Sequence, residues 1–181
     1  MKPLLSMSSD SDLVNGRVGD PAMTMTSVRP PFLARYVYHH PYPLDESAMN
    51  RAAGEVAGEH DFTSFAASSG SEEDDHDRNM IRVVHSSELL RQPDGGEIAY
   101  VVRGTSFLRY MVRKFVGTLL EVGKGTLAPA DIPKIFELRD RTRCGPTVPP
   151  EGLYLVSLEY PDPTDSLATS SRRSAGHAPG G

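Results

Sequence analysis

The stretch Phe107–Gly125, FLRYMVRKFVGTLLEVGKG, decides the fold. At about 100° per residue, Phe107, Met111, Phe115, Leu119 and Val122 share one arc, and Leu108, Val112, Val116 and Leu120 widen it past half the circumference. The pattern predicts a long helix, closed by Gly123 and Gly125, that must bury most of its surface against another layer. Tyr110, Lys114, Gly117 and Glu121 fall on the opposite side, with Arg109 and Arg113 at the seam. Three cations thus sit in the first two predicted turns, the end where the helix dipole disfavours positive charge.

Working outward, ARYVYHH (34–40) is β-branched and aromatic and reads as a strand ending at Pro41. Asp45 fits an N-cap, with Glu46 in the first turn. Met49, Ala52, Ala53 and Val56 then make a helical stripe, with Gly58 as its C′ residue. HDFTSFAA (60–67) is a connector or short strand. RNMIRVVHSSELL and GEIAYVVRGTSF are strands of a hairpin joined through RQPDGG. Downstream, LAPADIPKIFELRDR is a shorter helix, with Pro129 in its first turn and Pro133 near its start. PPEGLYLVSLEYP is a closing strand in which Tyr154, Val156, Leu158 and Tyr160 alternate with Leu155, Ser157 and Glu159. Hairpins imply antiparallel pairing. The order therefore predicts an α+β domain: a mostly antiparallel, twisted sheet with helices packed on one face. A sheet with one open face is also a frequent platform for RNA.

Of the 181 residues, 1–30 and 163–181 lack periodicity and are rich in Ser, Gly and Pro, so they read as disordered segments around a domain at 31–162. The net charge of −5 argues against coating nucleic acid through bulk charge. The distribution is uneven, however: Arg103–Arg143 holds nine Lys/Arg against four Asp/Glu, a local anion-binding face or an ordinary solvated one. Cys144 is the only cysteine, which rules out an internal disulfide and fits a reducing compartment. The start, MKPLLSMSSDSD, lacks a signal-peptide core, and no run approaches a membrane span, so a soluble, cytoplasmic protein is expected. His76 within SGSEEDDHD lacks the spacing of a calcium loop, and no metal is expected. Nucleotide-binding, zinc-protease and serine-hydrolase motifs are absent from the sequence.

Three ordered segments carry a resemblance: HHPYPLDESAMNRAAGEVAGEHDFTSF, GTSFLRYMVRKFVGTLLEVGKG and DRTRCGPTVPPEGLYLVSLEYP. Together, across about residues 31–161, they resemble the C-terminal half of tRNA pseudouridine synthase A. SFLRYMVRKFVGTLLEVG and PPEGLYL are the most specific parts. The resemblance implies two similar α/β halves around an RNA-binding cleft, usually in a homodimer. It further implies isomerisation of uridine to pseudouridine in the tRNA anticodon stem-loop, at tRNA positions 38 to 40, with no cofactor. Such a reaction flips the nucleotide out, breaks the N-glycosidic bond and rejoins the base through carbon, around an essential aspartate. A neighbouring arginine would keep that buried carboxylate ionised and oriented.

Arg113 matches the family's active-site arginine. From helix geometry alone it reads as a seam residue that lays its stem on apolar neighbours and exposes its head. Gly152 and Leu153 match the segment that closes the active-site wall; they serve equally as a turn and the first core residue of a strand. Phe107 reads as core before it reads as a stacking platform. Arg109, Lys114 and Arg141 are candidates for phosphate contacts. Asp61 and Phe62 lie in a family-like loop with no chemistry assigned.

The family's catalytic motif, G-R-[TM]-D-x-G-V-H-A, is absent. NGRVGDPA (15–22) is superficially similar, but Asp20 sits one place late and no Gly-Val-His follows, so Asp20 is rejected as the nucleophile. The expectation is a truncated synthase. The alternatives are a non-catalytic RNA-binding or dimerising module, or an inactive fragment.

Overall fold

The computed structural model describes residues 18–27, 36–67, 79–91 and 96–159. Six strands form one mixed sheet: β1 (Val18–Thr26), β2 (Tyr38–His39), β3 (Gly58–Asp61), β4 (Ile81–Arg91), β5 (Glu97–Gly104) and β6 (Leu153–Glu159). The order is β2-β1-β5-β4-β3, and β6 lies beside the first two thirds of β1. Only the short β1–β2 pair is parallel. Among the described residues, three α-helices, α1 (Glu46–Gly54), α2 (Met111–Gly123) and α3 (Ile132–Leu138), accompany the sheet in an α+β fold.

Alternation explains which face of the sheet they cover. Met23 lies opposite Tyr100, and Leu89 opposite the same Tyr100 on the other side. These residues, with Met25 and Val102, point into the core that holds Met49, Ala52, Phe115, Val116 and Leu119 from α1 and α2. Phe62, Phe65, Phe115 and Phe136 form an edge-on cluster at its centre, with Phe65 and Phe115 centroids 5.0 Å apart. Each such ring, fully buried, contributes about 1.5–3 kcal/mol. Tyr100 is also fully buried; its hydroxyl shares a 2.8 Å hydrogen bond with Ser87, which offsets the cost of burying it.

The sequence reading fails for part of the segment 1–30. Val18–Thr26 is a central strand, paired with β5 on one side and with β6 and β2 on the other. Two facts reconcile the punctuated sequence with that position. Pro21 falls where the β1–β6 register shifts, a bulge that tolerates a residue without an N–H. Beyond it, Met23 and Met25 alternate with Thr24 and Thr26 and are buried. The strand expected at 34–40 is reduced to Tyr38–His39; residues 34 and 35 lie outside the described set. Gly58 does not cap α1, which ends on Glu55; instead it starts β3 at φ 123. Residues 163–181, the acidic run around His76 and the hairpin loop at 92–95 also lie outside the described residues.

Candidate nucleic-acid site

The decisive helix begins later than its periodicity suggests. α2 starts at Met111, and its N-cap Tyr110 is in the left-handed conformation, φ 65 and ψ 0. Arg109 therefore precedes the helix, and only Arg113 and Lys114 lie in its first turn. The turn is pinned on both sides. Ala67 N–H donates to the Arg109 carbonyl at 3.0 Å, Met111 N–H to Leu108 at 3.1 Å and Lys114 N–H to Tyr110 at 2.9 Å. Left-handed backbone at a bulky residue costs on the order of 1–3 kcal/mol, and such strain persists only where the surroundings impose it.

A strap formed by Cys144–Pro149 runs along α2. It can do so because Gly117 and Gly145 carry no side chain: a Cβ on Gly117 would lie 1.7 Å from the Pro146 carbonyl oxygen, and one on Gly145 2.3 Å from the Gly117 oxygen. Thr118 Oγ1 donates to the Lys114 carbonyl at 2.8 Å and accepts from Gly145 N–H at 3.0 Å. The strap then reaches Arg113, whose Nε donates to the Val148 carbonyl at 2.6 Å. Val148 N–H returns to the Arg113 carbonyl at 3.4 Å. From there the chain turns through Gly152 into β6. Gly152 has φ 83, and a Cβ there would meet Thr24 O at 2.6 Å and Tyr38 N at 2.8 Å, so the turn is wedged between β1 and β2. Arg113 and the PPEGLYL segment are thus joined through one short strap.

The remaining sequence-predicted residues divide. Leu153 opens β6 opposite Met23 and packs, half-buried, on the core. Phe107 also packs on the core, beside Gly104. Lys114 Nζ donates to the Arg141 carbonyl at 3.0 Å, and Arg141 Nε donates to the Thr63 carbonyl at 3.3 Å. Both cations therefore tie the turn at Arg141–Arg143 to its neighbours. Asp61 pairs with Arg139 at 3.0 Å and caps Thr63, while Phe62 is fully buried. Among the described residues no carboxylate pairs with Arg113, and no three His, Cys, Asp or Glu side chains come together as a metal site. Cys144 donates to the Ser64 carbonyl at 3.2 Å, and burial pushes its thiol up to about 11, away from the thiolate form.

Sequence reasoning missed Tyr110. The guanidinium carbons of Arg109 and Arg113 each stand over its ring, 4.7 Å from the centroid, and Arg109 Nη2 donates to its hydroxyl at 3.0 Å. Nothing in FLRYMVR signals a left-handed tyrosine, because Tyr is not a residue that favours that region. The strap was closer to legible. A glycine in mid-helix costs about 1 kcal/mol relative to alanine, so Gly117 hinted at a close backbone approach.

Fold and strap define an α+β domain with one family-like helix and one family-like turn joined side by side. Residues 52–161 match the tRNA pseudouridine synthase family. The chain is 46% identical over 131 residues to tRNA pseudouridine synthase A of Solibacter usitatus, covering 72% of this chain and 50% of that protein. For the enzyme of the same name from Caldicellulosiruptor bescii the identity is 42% over 132 residues, 73% of this chain and 51% of the relative. For that from Shewanella sediminis it is 40% over 134 residues, 74% and 49%. The chain belongs to the tRNA pseudouridine synthase family. It spans about half the length of these relatives. No helix among the described residues is long and apolar enough to cross a membrane.

Proposed function

We propose that this chain contributes the arginine side of a uridine-to-pseudouridine isomerase site, acting on the anticodon stem-loop of tRNA in the cytoplasm, as a homodimer and without a cofactor. The observation that supports this reading is the bond from Arg113 Nε to the Val148 carbonyl, which joins the two most family-like segments of the sequence. That bond fixes the side chain by its inner nitrogen and leaves two terminal nitrogens to meet an anion. A carboxylate held there would stay ionised despite burial, because the guanidinium remains charged at any working pH. The same carboxylate could then act as nucleophile or base while the flipped uracil rests between Leu153 and the strap.

A second reading draws on a different observation. Among the described residues no carboxylate pairs with Arg113. That favours a module that binds RNA without isomerising it. Incubating the chain with an anticodon stem-loop RNA and scoring pseudouridine separates the two. Product formation, lost in Arg113→Lys while the fold is kept, is the expected result for an isomerase. Salt-sensitive binding without product supports the module. If Arg113→Lys turns over normally, the arginine has no part in holding the carboxylate.

A further inference from the structure

The structure carries one feature of which the isomerase reading uses only Arg113: a partly exposed tyrosine in strained backbone, with a second arginine, Arg109, over the same ring. Tyr110 is 40% exposed although its backbone is pinned at φ 65. At that exposure its packing gain is only partial, and Tyr110 is not part of the buried core, so burial alone does not explain the strain. What the conformation does achieve is a stack. It turns the ring so that Arg109 and Arg113, four residues apart, both reach it at 4.7 Å. Two cations on one ring repel each other unless an anion lies nearby. Arg109 is exposed, and its Nη2 donates to the Tyr110 hydroxyl, so its guanidinium is held beside the ring before any ligand arrives.

From these observations we infer that Arg109, Tyr110 and Arg113 form a preorganised platform for one unpaired nucleobase and its adjoining phosphate. Planar guanidinium and aromatic faces stack on any base, and the remaining N–H groups suit phosphate oxygen. In this arrangement the base lies on the outer face of the Arg109–Tyr110 layer. The charge of Arg109, uncompensated by any described carboxylate, is met by the RNA backbone, while the terminal nitrogens of Arg113 are left to the proposed carboxylate. Such a site selects unpaired over paired RNA, because a base in a duplex offers no free face. The inference rests on the proposal that the chain binds RNA, and it adds where a looped-out base is gripped.

The test measures fluorescence anisotropy of the full chain with two labelled RNAs at one salt concentration: an anticodon stem-loop, and a fully paired duplex of the same length. Tyr110→Gly removes the ring and relieves the backbone strain, so its melting temperature is expected to equal or exceed that of the unaltered chain. Its affinity for the stem-loop is expected to fall about tenfold, in line with the loss of one stacked base, while duplex binding changes less than about twofold. Tyr110→Asn, which also tolerates left-handed backbone, should repeat the loss if glycine loosens the turn. Tyr110→Phe should retain most of the affinity. The platform is overturned if Tyr110→Gly and Tyr110→Asn bind the stem-loop as tightly as the unaltered chain, or if stem-loop and duplex affinity fall together. If the unaltered chain binds neither RNA, the platform and the proposed function both fail; equal binding by the unaltered chain and the variants defeats the platform alone.

Discussion

The two ends of α2 are built on opposite principles. At its C-terminal end the helix is sealed: a Cβ on Gly123 would lie 2.6 Å from Met49 Sδ and 2.9 Å from Leu44 Cδ2, and the Gly123 carbonyl accepts from Asp45 N–H at 2.9 Å. That bond docks the capped start of α1, whose Asp45 carboxylate accepts from Ala48 N–H at 2.9 Å. At its N-terminal end the helix is open. There, strained backbone, cations and an exposed aromatic gather around Tyr110. Burial and the Asp45 bond hold one end; at the other, where Met111 and Val112 are buried, hydrogen bonds from a strap hold the exposed side. With the proposed RNA contacts at the open end, stability and binding separate along a single helix, so substitutions at its two ends should move different measurements.

The largest expected effect comes from breaking the strap. In Gly117→Ala the new Cβ meets backbone, which cannot rotate away as a side chain can. A loss of at least ~3 kcal/mol in a urea titration is expected, because either the helix or residues 144–148 must shift. RNA binding should fall with it, since Val148 would leave Arg113. A folded, binding-competent Gly117→Ala protein would show that the strap does not position the arginine. The sealed end gives a smaller, cleaner result. In Gly123→Ala the clash is with the far ends of Met49 and Leu44, which can move, and helix propensity gains up to ~1 kcal/mol. The net loss should be no more than ~2 kcal/mol, with RNA affinity unchanged. If RNA affinity fell here too, the two ends would not be independent.

The smallest effect concerns His40, which packs near the sealed end. It is buried, its Nε2 has no hydrogen-bond partner among the described residues, and its ring lies 5.7 Å from that of Tyr42. Burial lowers its affinity for a proton, helped by Lys124 and His39 and opposed by Glu121. The sign follows from linkage: the unfolded chain takes up a proton near the ordinary value of 6.5 while the folded imidazole stays neutral. Stability should therefore fall as the pH drops below that value, until the folded imidazole itself protonates. His40→Leu should flatten this part of the pH profile of the urea midpoint. An identical profile in both proteins would mean that His40 is protonated as readily in the fold as outside it.

Local patterns carried much of the fold. The apolar arc of 111–123, the hairpin strands around 81–104, Asp45 as N-cap and Pro133 at the start of α3 were legible because each depends on neighbours within a few residues; Pro129 instead opens a separate 3-10 turn, Pro129–Asp131, just before α3. β1 was not. Its identity as a strand depends on β5, β6 and β2, whose paired residues lie 13 to 141 positions away in sequence, and on a bulge that excuses Pro21. In the candidate site, Arg113, Gly152 and Leu153 were singled out by resemblance, and only the fold shows how Val148 links the first to the other two.

The sequence by itself determined the α+β class, the buried helix and the family, because periodicity and ordered motifs survive without coordinates. Tertiary structure alone decided that the cations flank Tyr110 and do not simply line a helix. That outcome turns on one backbone angle, φ 65, imposed by hydrogen bonds from Ala67 and along the turn into α2. Side-chain identity does not encode such an angle; the contacts that enforce it exist only once the chain has folded.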